Sequence, residues 1–322
     1  MNDASSLVED PVYCLAASPA FSKDGICFAA RTSGLILSND GGVNWENAYA
    51  SLGLRESLST TAVCLSPNFT KEKHVFAGVP GGILCSLDGG KNWRKAIMPT
   101  PPPVISVLAA SPNYSQDRTL FAGTMEDGFL LSINGGESWH PWNFGLLDPR
   151  VMALAISPGF AQDETIFAAT ETGIFRSDNN GRSWKETGFE ATLAPVLSLA
   201  ISPDFTQDGT LFAGTMSNGL FKSSDEGQTW KRLDTVAIPN VVNTILISDN
   251  SKSKAEMLVL VEEQLLVSQN GGEVWSELPI NLPEGDGPIS VVAPGGLVRE
   301  GNLLVGTQNG TIITIVGISF RD

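Results

Sequence analysis

The sequence predicts an all-β protein, a single seven-bladed β-propeller of four-stranded antiparallel blades. Three observations carry that prediction: an octapeptide that recurs six times at a near-constant period, short strands punctuated by turn residues, and no sustained 3.6-residue periodicity. The octapeptide reads S-x-[D/N]-x-G-x-x-W. Its copies start at Ser38, Ser86, Ser132, Ser177, Ser223 and Ser268 and end at Trp45, Trp93, Trp139, Trp184, Trp230 and Trp275. Successive tryptophans lie 48, 46, 45, 46 and 45 residues apart. A chain of 322 residues holds seven such units, the last of them degenerate. That seventh unit, from about Pro288, keeps Leu303-Leu304-Val305-Gly306-Thr307 where the fifth has Leu211-Phe212-Ala213-Gly214-Thr215.

Each unit divides into four strands of four to seven residues, a length that suits antiparallel hairpins. The first is apolar on both faces, as in Val151 to Ile156. It pairs a small face (Ala16, Cys64, Ala109, Ala155, Ala200) with a large one (Leu15, Val63, Leu108, Leu154, Leu199), which is what an inner strand needs where sheets crowd round an axis. The second strand centres on Phe28, Phe76, Phe121, Phe167 or Phe212, the third runs into the octapeptide, and the fourth starts at its tryptophan. The units fall at about 12–50, 59–98, 104–144, 150–189, 195–235, 241–279 and 288–322. The last is closed either by N-terminal residues (4–10, centred on Ser5 to Glu9) or by the C-terminus at Ile318 to Arg321. Essentially no helix is expected.

A second motif, S-P-x-[F/Y], precedes the first five octapeptides at Ser18, Ser66, Ser111, Ser157 and Ser202, with Asp three residues after the aromatic in four of them. Ser and Asp suit a capped turn, Pro fixes φ, and the aromatic closes the blade edge. In the octapeptide, the acceptor oxygen at Asp40, Asp88, Asp225, Asn134, Asn179 and Asn270 suits an Asx turn, and Gly42, Gly90, Gly136, Gly181, Gly227 and Gly272 supply positive φ. Each Trp is an apolar plate whose indole N–H needs one partner. Interchange of a charged Asp and a neutral Asn at one site points to hydrogen-bond acceptance and away from catalysis or calcium ligation.

The octapeptide resembles the Asp box of bacterial neuraminidase repeats, found in sialidases, sortilin-like receptors, xyloglucanases and photosystem II assembly factors, on propeller blades. The resemblance covers nearly the whole chain. It implies the fold and leaves the activity open, since unrelated functions share the scaffold.

Composition narrows the function classes. With 42% hydrophobic and 17% charged residues the chain is not a disordered one. No apolar run reaches the ~18–20 residues of a membrane helix. A net charge of −15 without a basic cluster disfavours nucleic acid and anionic lipid. Met1 to Asp10 is polar and acidic, so no secretory signal is read there and a cytoplasmic location is expected. The four cysteines (Cys14, Cys27, Cys64, Cys85), without CxxC spacing, read as buried free thiols, and with only His74 and His140 beside them no metal site is expected.

Both motifs fall on the turns of one face, so the functional surface is expected on the opposite, upper face or on an outer blade edge. Met125 and Met216 occupy equivalent upper turns and could form a soft binding surface. Glu126, Asp127, Glu171 and Arg150 lie on neighbouring turns and links. Trp142 is the one tryptophan outside the repeat and, beside Phe144, a candidate anchor for a partner.

Sialidase-like catalysis would need an arginine cluster and a Tyr nucleophile. The three tyrosines (Tyr13, Tyr49, Tyr114) fall at or beside repeat positions, and that family's Arg-Ile-Pro signature is absent. Glu126, Asp127, Glu171 and Glu262 are generic candidates for a carboxylate pair. The resemblance to xyloglucanases implies two propellers enclosing a cleft, which one propeller with short turns lacks. Similarity to photosystem assembly factors implies an export sequence and a basic patch, neither seen here. The expectation is a non-catalytic scaffold, needing no cofactor, that binds a protein partner as a subunit or assembly factor of a larger complex. The alternative is a carbohydrate-binding or glycoside-hydrolase-like module.

Overall fold

The computed structural model describes residues 9–233, 237–238, 240–248, 256–298 and 300–318. Seven antiparallel sheets follow one another along the chain, each built by consecutive hairpins with strands in sequence order from inside to outside. Blade 3 is typical: Ile105–Ala110, Leu120–Thr124, Phe129–Ser132 and His140–Pro141. The inner strands are Val12–Ala17, Ala62–Leu65, Ile105–Ala110, Val151–Ile156, Val196–Ile201, Val242–Ile247 and Pro288–Val292. Each packs against the next, and the last packs against the first, so the ring closes. The protein is a seven-bladed β-propeller.

Small residues in the second strand make the closure tight. A Cβ on Gly78, Gly123, Gly214 or Gly306 would collide with Ile105, Val151, Val242 or Val12 of the following blade. Gly306 thus does in the degenerate blade 7 what Gly214 does in blade 5. Hydroxyls tie the same seams: Thr61 Oγ1 donates to Ile105 O (2.7 Å), Ser198 Oγ to Val242 O (2.9 Å), and Ser290 Oγ to Val12 O (2.6 Å) across the closing junction. Blade 7 shows three strands among the described residues, ending at Ile312–Val316. Of the two closing segments proposed, Ser5 to Glu9 and Ile318 to Arg321, only Glu9 and Ile318 are described and neither is in a strand; the rest lie outside the described residues.

Two local expectations are corrected. The S-P-x-[F/Y] turns are each a single helical turn, Phe21–Asp24, Phe69–Glu72, Tyr114–Asp117, Phe160–Asp163 and Phe205–Asp208, against the expectation of essentially no helix. The N-cap residues themselves make no side-chain bond; the flanking Ser and the last Asp brace the turn instead. Ser18 Oγ donates to Asp24 Oδ2 (2.7 Å) and accepts from the Ala20 amide (3.1 Å), while Asp24 Oδ1 accepts from the Ile26 amide (3.1 Å). The turn stops at a left-handed residue: Gly25 and Gly209, but Lys73, Arg118 and Glu164 in the blades between. The outer strands are also shorter than expected, two residues in blades 1 to 5 and three in blade 6, and begin one residue after the box tryptophan.

Candidate functional site

The Asp boxes are internally saturated. Ser38 Oγ donates to Asp40 Oδ1 (2.8 Å) and accepts from the Gly42 amide (2.9 Å), while Asp40 Oδ1 also accepts from the Asn44 amide (2.9 Å). The second carboxylate oxygen takes Asn44 Nδ2 (2.7 Å). In the asparagine boxes Oδ1 keeps its role and the other atom reverses polarity: Asn134 Nδ2 donates to Ser138 Oγ (2.9 Å) and Asn179 Nδ2 to Ser183 Oγ (2.8 Å). In blades 1 to 5 the seventh box residue therefore matches the third, whereas blade 6 pairs Asn270 with Val274 through the backbone amide alone. Asp goes with the donors Asn44, Asn92 and Thr229, and Asn with Ser138 and Ser183 as acceptors. These bonds, led by the Asn44 amide, pull the Asp40 carboxyl down to about 2, and the Thr229 bonds do the same for Asp225. Among the described residues no group of three or more potential ligands is arranged for a metal.

Each box faces two neighbours. Within its blade, its fourth residue donates an amide to the left-handed residue of the helical turn: Gly41 to Gly25, Gly89 to Lys73, Gly135 to Arg118, Asn180 to Glu164 and Glu226 to Gly209. Both motifs therefore share one face, as the strand order requires. Across the seam, the consensus glycine lies against the preceding blade, where a Cβ on Gly90 would strike Phe28 and one on Gly136 would strike Phe76. The indole of Trp93 donates to Ala48 O (2.8 Å) of blade 1, and that of Trp184 to Trp142 O (2.9 Å) of blade 3. In blades 1, 2, 5 and 6 the indole bonds its own box glycine carbonyl, while Trp139, 1% exposed, has no partner for its N–H. The sequence did not reveal this stapling of blade to blade. The second motif residue carrying it, the consensus Gly, was read only for its φ.

The candidate surface residues gather on blades 3 and 4. Asn143 is the knot: its Oδ1 accepts the Phe129 amide (2.8 Å) and its Nδ2 donates to Asp127 O (2.8 Å), fixing the outgoing link against the 125–128 turn. The Gly128 amide donates to Pro149 O (2.8 Å), and the Met125 amide to Val104 O (3.0 Å). On this locked backbone stand four exposed apolar side chains: Phe144 (80%), Leu147 (73%), Met125 (51%) and Val104 (50%). Beside them Arg150 bonds Asp148 (3.1 Å) and pairs with Glu171, with Glu126 close enough to act on the guanidinium. Asp148 is buried, which works against its charge, yet the bonds from the Arg150 amide and guanidinium hold its carboxyl below the usual range.

The remaining candidates are placed differently. Trp142 is half-buried, packed in the blade 3–4 core with Phe129 and Trp184, and its carbonyl serves the Trp184 indole. Met216 is half-exposed on the equivalent turn of blade 5, its amide held by Pro195 O (3.0 Å). Glu262 belongs to blade 6 and accepts from Asn240 Nδ2 (3.0 Å). Leu147 and Val104 were missed by sequence reasoning because nothing but their exposure distinguishes them. The four cysteines are free; burial pushes the Cys27 and Cys64 thiols up to about 12.

Ring and boxes together define a seven-bladed propeller of the Asp-box type, and solved structures of that type superpose on it. YCF48 from Cyanidioschyzon merolae matches at TM-score 0.66 and 14% identity, over 96% of each chain. YCF48 bound to D1 peptide matches at 0.68 and 14%, over 96% of this chain and 94% of that one. The GH74 enzyme of Niastella koreensis matches at 0.72 and 16%, over 95% of this chain and 52% of its own. This chain spans 38% of the extracellular domain of a B. thetaiotaomicron one component system and 44% of an ancestral GH74 enzyme. At such identities the likeness concerns the fold. No family model and no curated protein matches the sequence.

Proposed function

We propose that the protein is a non-catalytic scaffold that binds a protein partner through the surface shared by blades 3 and 4. The observation that carries this reading is the rigid presentation of exposed apolar side chains: Phe144 and Leu147 stand out on a link whose backbone is tied at Asn143, Phe144 and Pro149. An exposed aromatic on a preorganised backbone, rimmed by Arg150, Glu171, Glu126 and Asp127, is the anatomy of an interface anchor. That a YCF48 propeller, matched over nearly its whole length, is bound to a peptide supports a polypeptide as the occupant. The test is affinity capture from the native source with the wild-type chain and a Phe144→Ser/Leu147→Ser variant. A partner retained by the first and lost by the second is expected; equal capture would refute the reading.

The second reading, a glycan-binding or glycan-hydrolysing module, is favoured by the TM-scores of two GH74 enzymes, 0.72 and 0.73, although a third, from Xanthomonas campestris, scores 0.67. Against it, the carboxylates with shifted titration (Asp40, Asp88, Asp148, Asp225) all move downward, opposite to a glycosidase proton donor. Hydrolysis of a xyloglucan oligosaccharide, abolished by Glu171→Gln, would establish that reading instead. A cytoplasmic location is part of the proposal, supported by four thiols in the free form; fractionation of the native source tests it.

A further inference from the structure

Among the described residues, ion pairs tie two of the seams between blades, the blade 2–3 seam also by Arg118 with Glu72 (3.4 Å). At the blade 2–3 seam, Arg94 pairs with Glu137 of the next box (3.3 Å). At the blade 4–5 seam, Arg176 lies over the Phe167 ring, 5.8 Å from its centroid, and pairs with Glu226 of the next box (2.7 Å). Arg176 directly precedes its box serine, and Glu226 is the fourth residue of the following box.

At the blade 5–6 seam the cation is kept and its partner is missing. Lys222, at the position of Arg176, lies over the Phe212 ring, 5.6 Å from its centroid. The fourth residue of the next box is Gly271. Lys231 stands where Arg94 does, and among the described residues neither lysine has a carboxylate within ion-pairing distance. Here the rim opens into a groove of about 660 Å³, with Phe212, Leu233 and Ile247 as its apolar part and Thr210, Ser224 and Thr229 as its hydroxyls. Two carboxylates also line it. Asp208 is occupied by Ser202 Oγ (2.7 Å) and the Thr210 amide (2.8 Å), and Glu273 is exposed. Acidic neighbours do not forbid a further carboxylate, because the preceding seam holds Glu226 beside Asp178 and Glu186.

We propose that this groove is a second binding site, for an extended acidic peptide that places one carboxylate over Lys222, where Glu226 stands in the preceding seam, and lays apolar side chains against Leu233 and Ile247. The site is independent of the surface on blades 3 and 4. Lys222 supplies a half-buried cation on an aromatic face, Lys231 widens the positive field, the Ser224 hydroxyl is a donor for the peptide backbone, and the Thr210 and Thr229 hydroxyls, which donate to Asp208 O and Asp225 Oδ2, are acceptors for its amides.

The chain itself provides the decisive variant. Gly271 has φ +72° with open space around a Cβ, and Glu226 occupies the equivalent position at φ +61°. Gly271→Glu therefore restores the intramolecular partner without a clash. The probe is a fluorescein-labelled octapeptide of alternating Glu and Val, measured by anisotropy beside its Gln-Val counterpart and inorganic phosphate as competitor, with folding of each variant checked by circular dichroism. Saturable binding is expected for the Glu peptide alone, weakened by salt, reduced at least tenfold by Lys222→Gln and by Gly271→Glu, and kept by Lys222→Arg. No saturable binding to millimolar peptide, or binding indifferent to both variants, overturns the proposal. Phosphate competing at the peptide's own concentration would also overturn it, since the groove would then take a free anion.

Discussion

The indole of Trp184 donates its hydrogen bond to the carbonyl of Trp142, 2.9 Å away across the junction of blades 3 and 4. The repeat's odd tryptophan is thereby joined to a box tryptophan, and two residues later the Phe144 carbonyl accepts the Trp184 amide (2.8 Å). One short segment both seals the seam and displays Phe144.

These two roles separate experimentally. Trp142→Ala removes a half-buried ring from the seam and is expected to cost about 2–3 kcal/mol, below the fully buried range because the ring is partly exposed. Phe144→Ala changes a side chain that touches mostly water and is expected to leave the melting temperature within about 1 °C. Thermal denaturation of the two variants side by side checks this; equal losses would contradict it.

Blade 2 carries a natural lesion. Its Glu72 stands where the other four capped turns have Asp, one methylene too long, and both Ser66 Oγ and Glu72 Oε2 are buried without partners. Glu72→Asp should rebuild the bond seen between Ser18 and Asp24 and raise stability by roughly 1 kcal/mol, offset in part by loss of the Arg118 pair at 3.4 Å. Urea denaturation reads the change, and a lower midpoint would count against this account of the cap.

Glu164 holds φ +47° at the helical-turn exit that Gly25 and Gly209 fill in blades 1 and 5. Its backbone amide donates to Phe160 O (3.0 Å) and its carbonyl accepts the Asn180 amide (3.0 Å), two bonds that glycine would keep. Relief of left-handed strain predicts that Glu164→Gly gains about 0.5–1 kcal/mol, whereas the same change at an exposed strand residue, Lys185→Gly, loses stability. A loss in both would show the exit is unstrained.

Acid should act in two windows. His74 Nδ1 shares a hydrogen bond with the Tyr114 hydroxyl (2.9 Å) at the blade 2–3 seam, and burial, then the Arg118 charge, lowers its titration below 6.5. A folded value below the unfolded one means the neutral ring stabilises, so stability is intact above about pH 6.5 and declines as pH falls through the lowered value. Asp40 and Asp225, held at about 2 against 3.8, contribute stability that is full above about pH 4 and disappears toward pH 2. His74→Gln should remove the first decline and leave the second, as followed by melting temperature against pH.

How much of this was legible beforehand follows from where the information resides. Blade number, strand order and the box's internal bonds are written in local spacing, since Ser38, Asp40, Gly42 and Trp45 act on one another within eight residues. The helical turns were missed because one turn is too short for a 3.6-residue pattern, although Ser18 and Asp24 brace the first of them and Gly25 ends it. Seam contacts such as Trp93 to Ala48, and the exposure of Leu147, depend on how one blade meets the next. No local pattern reports that.

The most direct test of the central claim places a photo-crosslinking phenylalanine analogue at position 144 and, as control, at the exposed box-tip position Val43, in the native cell. One protein joined at 144 and not at 43, and lost when Leu147→Ser is added, is the predicted result. Crosslinks equal at both positions, or to glycan alone, would contradict it.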